Sequence, residues 1–505
     1  MNYRDLVISE PELDKLADLL IKDIGKTKEN VVSRYARNVF DNVEYLGGVP
    51  SVHLYSLSNV NKEFMQSGIY NQTAVDNLLP HNIEEIGVAR DRSESRFNFE
   101  PKNIPLPTEE SFFFEKLPDG IESFDEELRD YSKQHKNTRV GRALTVEQKT
   151  VVNSMGGKAI QTIPSFSISF SYGYNPIPVR RNITLVCNSE LDIKNMVKAI
   201  KYIPDPNPDK RIKKSKTFSE AFQELTNVSH LKYGSLEDAG ISENDLYDVV
   251  MATGVSTHEI FGHHFEEPIR MLNVGEESPF KFRKSVRNKD IVFRDDPTQT
   301  VEGLKVRGFT HIDAYGRKRE PRTHIENGKI KEFLGSEYVD SKKLKGYLGL
   351  EKSTFVGSAS QSVLGDFPQP RMSCTFIDGP TESIDWEGKI VVVPDSGETD
   401  DRHVSYVVKS NENYVIRDGE PKRVGPLKIS GGIKQAFANL QLINDSSYQC
   451  GTCGKLNPVY DPIYNRDVIL EAGAPVSQFT KSQLWKEQQV STLPISEPHL
   501  RILVK

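Results

Sequence analysis

The spacing of hydrophobic residues predicts several helices in the first half of the chain. Leucine and isoleucine recur at helical intervals over residues 10–24, with a proline in the first turn that suits a helix start. The same period predicts helices over residues 121–134 and 191–202. One further helix is predicted from Asp245 to Phe265, where the chain is mostly apolar.

Strand patterns mark two other parts of the chain. Residues 165–172 alternate strictly between polar and apolar side chains, which predicts a half-buried strand within a meander over residues 140–187. After residue 290 the helical period nearly vanishes. Asn-Gly at 327–328 and Asp-Gly at 418–419 then predict the turns of two hairpins.

Together these elements predict an α+β fold with two domains. A chain of 505 residues is too long for one ordinary hydrophobic core. We expect an α/β N-terminal domain over residues 1–240, with room for two sub-parts at 1–135 and 136–240. A β-rich, mostly antiparallel C-terminal domain would follow over residues 241–505.

Composition and charge narrow the classes of partner. Hydrophobic residues make up 37% of the chain and charged residues 27%, a balance typical of folded soluble proteins. The formal net charge of -6 gives no overall attraction to nucleic acid or anionic membranes, so we expect neither as a partner. There is no apolar run of the ~18 residues that a membrane helix needs, and no apolar signal segment at the N-terminus. Four cysteines are too few for a disulfide scaffold, so a cytoplasmic location is expected.

The helix predicted to end at Phe265 carries a group of residues suited to metal chemistry. His258, Glu259 and His263 form a His-Glu-x-x-x-His run. Zinc takes nitrogen, sulfur or oxygen ligands, and catalytic zinc sites leave one position for water. A glutamate beside the metal can take a proton from that water and pass it to a leaving amine. The run therefore supplies metal ligands and a proton acceptor close together.

The spacing of the two histidines is unusual for a helix. His258 and His263 are five residues apart, which places them about 140° apart around a regular α-helix. A π-bulge widens the turn and brings such residues into line, and these bulges occur preferentially at functional sites. Gly262 would tolerate the distortion. We therefore predict a local π-turn between the two histidines.

Other ligand sets remain open at this point. Glu259 and His263 are four residues apart, so a mixed histidine and carboxylate site that also draws on Glu266 is geometrically open. His264 is a weaker substitute for His263, because it lies six residues from His258. The alternative without a metal is an ordinary polar helix with surface histidines. It is disfavoured because three of the 11 histidines lie so close together.

Two cysteines near the C-terminus, Cys450 and Cys453, offer a thiolate ligand. A Cys-x-x-Cys pair can be redox-active, half of a zinc ribbon, or a coincidence. A ribbon needs a second pair, which the sequence lacks, and a redox pair normally opens a helix, whereas strand patterns dominate this region. A thiolate that joins the distant histidines is the favoured interpretation.

Four motifs in order connect the chain to a known family. They are His258-Glu259-x-x-Gly262-His263-x-x-Glu266, Thr323-His324-Ile325-Glu326-Asn327-Gly328-Lys329-Ile330, Pro370-Arg371-Met372-Ser373 and Cys453-Gly454-Lys455. With them the chain resembles the TldD/PmbA family of metallopeptidases, the modulator of DNA gyrase type, and its TldD-like catalytic members in particular. The resemblance extends over residues 140–480 and more weakly over the N-terminal part.

The resemblance implies a zinc ion bound by His258, His263 and Cys453, with Glu259 as the base that activates water. It also implies a barrel-like C-terminal domain, with the metal-binding helix near the junction of the two domains. Extended or unfolded peptides would be the substrates. Homodimers, or heterodimers with a family paralogue, would enclose a proteolytic chamber.

The chain departs from the family pattern in four places. Pro268 stands where an acidic residue is common and would end the helix early, and Leu456–Val459 replaces a run rich in glycine and glutamine. The second change would alter the substrate groove. Cys450 and His264 are additions, for which a supporting role is favoured over metal binding.

Two residues of the shared motifs have alternative roles. Glu266 is predicted either to orient a zinc-bound histidine or to be an ordinary surface charge on the helix. Arg371 is predicted either to orient a carboxylate or a substrate carbonyl, or to form an ion pair in a core strand.

Three functions follow from these observations. A zinc-dependent peptidase is favoured, because every ligand type that the family uses is present. A non-catalytic or regulatory subunit of a heteromeric peptidase is the first alternative. A metal-dependent amidohydrolase acting on small amides is the second, although the sequence contains no loop for a phosphate or nucleotide.

Overall fold

The structure is a computed structural model. It describes residues 7–24, 32–66, 69–74, 93–96, 110–113, 120–154, 157–172, 179–203, 234–243, 245–252, 257–266, 289–334, 359–360, 369–400, 405–461 and 466–493. Its elements are numbered below in chain order.

The three helices predicted in the first half of the chain are confirmed. They are α1 Glu10–Ile24, α2 Ile121–Gln134 and α3 Glu190–Ala199, which a 3-10 turn at Ile200–Tyr202 extends. A short α4, Ile433–Asn439, lies among the later strands. None of the described helices is long and apolar enough to cross a membrane.

The strands of the first half form one antiparallel run with a single parallel addition. They are β1 Val32–Leu46, β2 Val49–Gln66, β3 Ile69–Ala74, β4 Ser93–Arg96, β5 Glu110–Phe113, β6 Arg139–Asn153, β7 Lys158–Tyr172 and β8 Val179–Val186. β1 lies between β2 and β6, and β7 lies between β6 and β8. β5 is parallel to β7. The predicted meander is therefore confirmed as β6, β7 and β8.

The second half of the chain is rich in strands. They are β9 Leu246–Met251, β10 Val292–Asp295, β11 Thr300–Val301, β12 Leu304–Lys305, β13 Arg322–Glu326, β14 Lys329–Ile330, β15 Ala359–Ser360, β16 Gln369–Pro370, β17 Cys374–Asp378, β18 Thr381–Glu382, β19 Ile390–Val393, β20 Ser396–Asp400, β21 Ser405–Ser410, β22 Glu412–Arg417, β23 Glu420–Val424, β24 Leu427–Gly432, β25 Leu440–Asp461 and β26 Arg466–Thr492. Most pairs are antiparallel, as predicted. β9 with β19, β17 with β26 and β18 with β25 are parallel.

The prediction of one helix from Asp245 to Phe265 is wrong in its first part. Leu246–Met251 form strand β9, which lies between β19 and β26. Val249, Val250 and Met251 are all buried, so both faces of β9 are covered at its end, and this part of the sequence reads as a continuous apolar run that periodicity cannot tell from a buried helix. Within the described residues the helix covers 257–266, and it is called the motif helix below.

Both predicted hairpin turns are confirmed. Asn327 and Gly328 have φ angles of 53° and 69°, between β13 and β14. Asp418 and Gly419 have φ angles of 55° and 71°, between β22 and β23. Two successive residues with positive φ define the turn that matches the twist of a tight hairpin, which is why Asn-Gly and Asp-Gly are favoured there.

The long hairpin of β25 and β26 organises the C-terminal half. β26 pairs with β25 along most of its length and with β9, β17 and β24 at further positions. Within the described ranges the strands form an open, branched sheet and do not close on themselves. The α+β class is confirmed, whereas the term barrel-like describes the C-terminal half only loosely.

One buried core crosses the predicted domain boundary at residue 240. It packs α2 and α3 on the N-terminal strands and continues to Tyr448 and Cys450 on β25. The Tyr448 hydroxyl donates a hydrogen bond to the Thr184 carbonyl, and Arg181 forms a buried ion pair with Glu412. The domain boundaries therefore stay a prediction. A second core lies in the C-terminal half and surrounds the motif helix.

Candidate metal centre

The motif helix contains the predicted π-turn. Residues 258–262 are π-helical, and the amide of His263 donates to the carbonyl of His258. The two imidazole rings lie with their centroids 4.8 Å apart at an interplanar angle of 70°. The wider turn thus places two histidines five residues apart on one side of the helix, as their spacing required.

Gly262 is needed in this turn for space rather than for backbone freedom. It is not among the described glycines with positive φ. A Cβ atom at this position would lie 1.9 Å from Cε and 2.6 Å from Sδ of Met372, a buried side chain. The thioether of Met372 therefore packs directly against the π-turn.

We expect Gly262→Ala to destabilise the protein by about 1–3 kcal/mol, because the added methyl group overpacks the contact with Met372. Met372→Ala should relieve the clash, so the double variant should be more stable than the two single losses added together predict. Urea unfolding of all four proteins measures this coupling. Strictly additive losses would show that the contact does not shape the turn.

Aromatic and polar contacts hold the motif helix in place. Phe261 packs at the edge of Phe437 with ring centroids 4.5 Å apart, and Phe265 stacks on His324 at 4.2 Å. The hydroxyl of Thr399 on β20 donates to the carbonyl of Glu259. These contacts involve the apolar side chains and backbone of the helix, so His258, Glu259 and His263 remain turned toward one another.

Cys453 on β25 meets the motif helix across 190 residues of sequence. Its Sγ lies 3.4 Å from Nε2 of His263, and a carboxylate oxygen of Glu259 lies 3.3 Å from the same nitrogen. One ligand atom from each of His258, Glu259, His263 and Cys453 lies within 4.8 Å of the others, and all four residues are buried. The structure thus brings the proposed ligands and the proposed base together.

The donor atoms of this cluster fit a zinc ion. Two imidazole nitrogens and one thiolate are ligands that zinc prefers, and a carboxylate beside them suits a catalytic site. His258 gives a direct indication. Its side chain is only 2% exposed, and among the described residues its ring nitrogens meet no partner of standard hydrogen-bond geometry, although the Cys453 thiol is close enough to interact with the ring. A buried imidazole in this state is costly unless it has a ligand to bind.

The charges around the cluster favour the form of cysteine that binds metal. Burial alone raises the pKa of the Cys453 thiol, but positive charge from Arg371 and the two histidines outweighs burial and holds the pKa well below its usual value. At His263 burial alone would lower the pKa of the imidazole. The negative charges of Cys453 and Glu259 outweigh burial and raise that pKa well above its usual value. The site therefore stabilises a thiolate.

Glu266 and Arg371 lie directly behind these residues. A carboxylate oxygen of Glu266 lies 3.2 Å from Nδ1 of His263, the ring nitrogen that faces away from Cys453. Arg371 donates from Nη2 to the Cys453 carbonyl at 2.7 Å, and its Nη1 lies 3.9 Å from Glu266. Both are buried. Glu266 is therefore not a surface charge, and Arg371 lies within ion-pair distance of it, while the roles of both residues at the site stay a prediction.

Neither addition to the family pattern is among the four residues of the cluster. Cys450 precedes Cys453 by three residues on one strand, so their side chains leave opposite faces. Its Sγ donates to Oδ1 of Asn182 at 3.5 Å. His264 packs near Phe437, with ring centroids 5.9 Å apart. Because opposite faces separate the two thiols, the redox interpretation of the Cys-x-x-Cys pair is disfavoured.

Residues 244–463 match the family model described as the PmbA/TldA metallopeptidase C-terminal domain. This stretch contains all four residues of the cluster. This stretch of the chain is a C-terminal domain of the TldD/PmbA family. The description of that family as a metallopeptidase implies a metal, and the cluster is where this chain has ligands for one.

Solved structures extend the TldD/PmbA likeness to the whole fold. TldE from Thermococcus kodakarensis has a TM-score of 0.58 at 13% sequence identity, and a DNA gyrase modulator candidate from Thermotoga maritima has 0.56 at 15%. A second such candidate, from Bacteroides thetaiotaomicron, has 0.54 at 12%. The comparisons cover 95–96% of this chain and 100% of each of those chains. No curated protein matches the sequence.

The departures from the TldD/PmbA pattern are only partly visible. Pro268 lies outside the described residues, so the predicted early end of the helix stays a prediction. Leu456–Val459 continue strand β25 in register with β26.

Sequence patterns did not predict a role for Thr399 and Asp295, whose contacts support the site from β20 and β10. Short polar residues in strands carry no signal of their own, since only the fold shows what they face.

Proposed function

We propose that this member of the TldD/PmbA family is a zinc-dependent metallopeptidase. The observation that carries the proposal is the convergence of His258, Glu259, His263 and Cys453 within 4.8 Å in a buried site. The three nitrogen and sulfur ligands would hold zinc. That ligand number leaves one position free, which is the arrangement of a catalytic zinc site rather than a structural one.

The chemistry divides between the ion and Glu259. A bound zinc ion would supply a Lewis acid for the attacking water and for the scissile carbonyl. Glu259 would remove a proton from that water at its carboxylate oxygen and deliver it to the leaving amine. His258, His263 and Cys453 would position the ion. Burial of the site would exclude competing bulk water from the carboxylate.

Glu259 could alternatively bind the zinc ion as a ligand instead of acting as the base. Its carboxylate lies 3.3 Å from Nε2 of His263, close enough for either role. The thiolate favours the role of base, because two histidines and Cys453 already complete the three protein ligands of a catalytic site.

Substrates and assembly follow from the same proposal. We expect extended or unfolded peptides as substrates, and a homodimer or a heterodimer with a family paralogue as the working form. Nucleic acid and membranes are not expected as partners, given the net charge of -6. A reducing cytoplasm is the expected location, because Cys453 must remain a free thiol to bind metal.

Metal analysis and a digestion assay on the purified chain test the proposal. We expect bound zinc and cleavage of casein or an unstructured peptide. Removal of zinc by a chelator should abolish the cleavage, and zinc should restore it, because the ligands are in place to receive the ion. Bound zinc with no peptide cleavage in the purified chain would instead favour a regulatory subunit. Cleavage of small amides alone would favour an amidohydrolase.

A further inference from the structure

The turn from Arg371 to Cys374, just before and at the start of β17, contacts both halves of the metal site. The amide of Met372 donates to Oε1 of Glu266 at 2.6 Å, and Glu266 in turn contacts His263. Arg371 donates to the carbonyl of Cys453 at 2.7 Å. One short turn thus reaches both the motif helix and the cysteine strand.

Asp295, at the end of β10, holds this turn from behind. Its Oδ1 accepts hydrogen bonds from the amides of Ser373 at 2.7 Å and Cys374 at 2.8 Å. The Ser373 hydroxyl lies 3.0 Å from each of its two carboxylate oxygens. The side chain is 2% exposed. A buried carboxylate with this many donors fixes the backbone that supplies them.

Arg319 completes the support from the other end of the turn. Its Nη2 donates to the carbonyl of Arg371 at 2.6 Å and lies 3.8 Å from Oδ2 of Asp295. The peptide groups on both sides of Met372 are therefore held. The buried carboxylates of Asp295 and Glu266 each lie within ion-pair distance of a buried arginine, Arg319 and Arg371 respectively, which offsets part of the cost of burying these charges.

We propose that Asp295 is a positioning residue for the zinc site, acting through the Arg371–Cys374 turn that sets the distance between the motif helix and Cys453. The inference rests on the proposed function. Residues behind metal ligands orient them, and losing one typically lowers metal affinity or activity by about 10 to 100-fold. Among the described residues Asp295 contacts Ser373, Cys374 and Arg319 and none of the four cluster residues, so its effect would pass through Glu266 and Arg371.

Zinc affinity of Asp295 variants tests this without relying on turnover. We expect Asp295→Ala to weaken zinc binding by about 10 to 100-fold in competition with a chromophoric chelator. Cobalt loaded in place of zinc should show a weaker thiolate charge-transfer band, because Cys453 is displaced. Asp295→Asn keeps an oxygen acceptor for the two amides and should recover most of the affinity. In the digestion assay Asp295→Ala should lower kcat more than it changes KM.

The matched control is Asp41→Ala. Asp41 is 3% exposed and pairs with the buried Arg142 at 2.8 Å in the N-terminal sheet. The Asp41→Ala variant should have a lower melting temperature than wild type but the same zinc affinity and the same cobalt spectrum. If Asp295→Ala fails to fold, Arg319→Met serves instead, since it removes the donor to the Arg371 carbonyl.

The outcomes separate the two claims. Wild-type zinc affinity and cobalt spectrum in folded Asp295→Ala, or in Arg319→Met where the first does not fold, would overturn the positioning role while the peptidase proposal stands. A wild-type chain that binds zinc without cleaving peptides would remove the peptidase proposal, and the affinity comparison would still decide the role of Asp295. A wild-type chain that binds no zinc would remove both.

Discussion

Replacement of Glu259 by glutamine is expected to reduce peptide cleavage by about 10² to 10⁴-fold while zinc remains bound. Glutamine has nearly the same shape as glutamate but cannot accept the proton that the attacking water must lose. The hydrogen bond from Thr399 to residue 259 uses the backbone carbonyl and should survive the change. Initial rates on an unstructured peptide, with zinc measured in the same samples, provide the comparison.

The matched control for this variant is Glu412→Gln. Glu412 is a buried glutamate paired with Arg181, far along the chain from the motif helix. Its replacement should reduce stability but not the cleavage rate per folded molecule. Full activity in Glu259→Gln would exclude the role of base. Loss of zinc together with activity would make Glu259 a ligand, the alternative that its distance to His263 leaves geometrically open.

Cys453→Ser is expected to weaken zinc binding strongly. Loss of a residue that only supports a ligand typically lowers metal affinity by about 10 to 100-fold, and loss of the ligand itself should lower it further. The site holds the Cys453 thiol as a thiolate, through positive charge that outweighs burial and lowers its pKa. A serine hydroxyl stays protonated under the same field and is a poor ligand for zinc. Chelator competition measures the loss of affinity, and peptide cleavage should fall with it.

Cys450→Ser provides the control in the same strand. Cys450 is three residues from Cys453, and its side chain leaves the opposite face toward Asn182. The two variants make the same chemical change within one strand, so any effect on strand stability is shared. Equal loss of zinc in both would point to a folding defect rather than to a lost ligand.

The sequence predicted those parts of the fold and site that depend on local rules. The spacing of His258 and His263 required a widened turn, and the structure contains a π-helix over residues 258–262. Asn-Gly and Asp-Gly placed two hairpins because only certain residues accept successive positive φ angles. Helices α1 and α2 followed from their apolar period.

Features that depend on tertiary neighbours were not predictable from local patterns. Strand β9 reads like a helix because Val249, Val250 and Met251 are buried in succession, which removes the alternation of a strand at its end. No local rule relates Cys453 to a histidine 190 residues earlier, and the family resemblance alone singled it out. At Gly262 the distorted turn was predictable from the spacing of the histidines. The reason for glycine was not, because it depends on the thioether of Met372, which packs against the turn.

The zinc content of the purified wild-type chain against Cys453→Ser, with Cys450→Ser alongside, tests the central claim most directly. That claim is that the metal site forms only when the motif helix meets the cysteine strand. After dialysis against metal-free buffer, elemental mass spectrometry should find about one zinc per chain in wild type and in Cys450→Ser. Cys453→Ser should retain only a small fraction of that. The same zinc content in all three proteins would contradict the account.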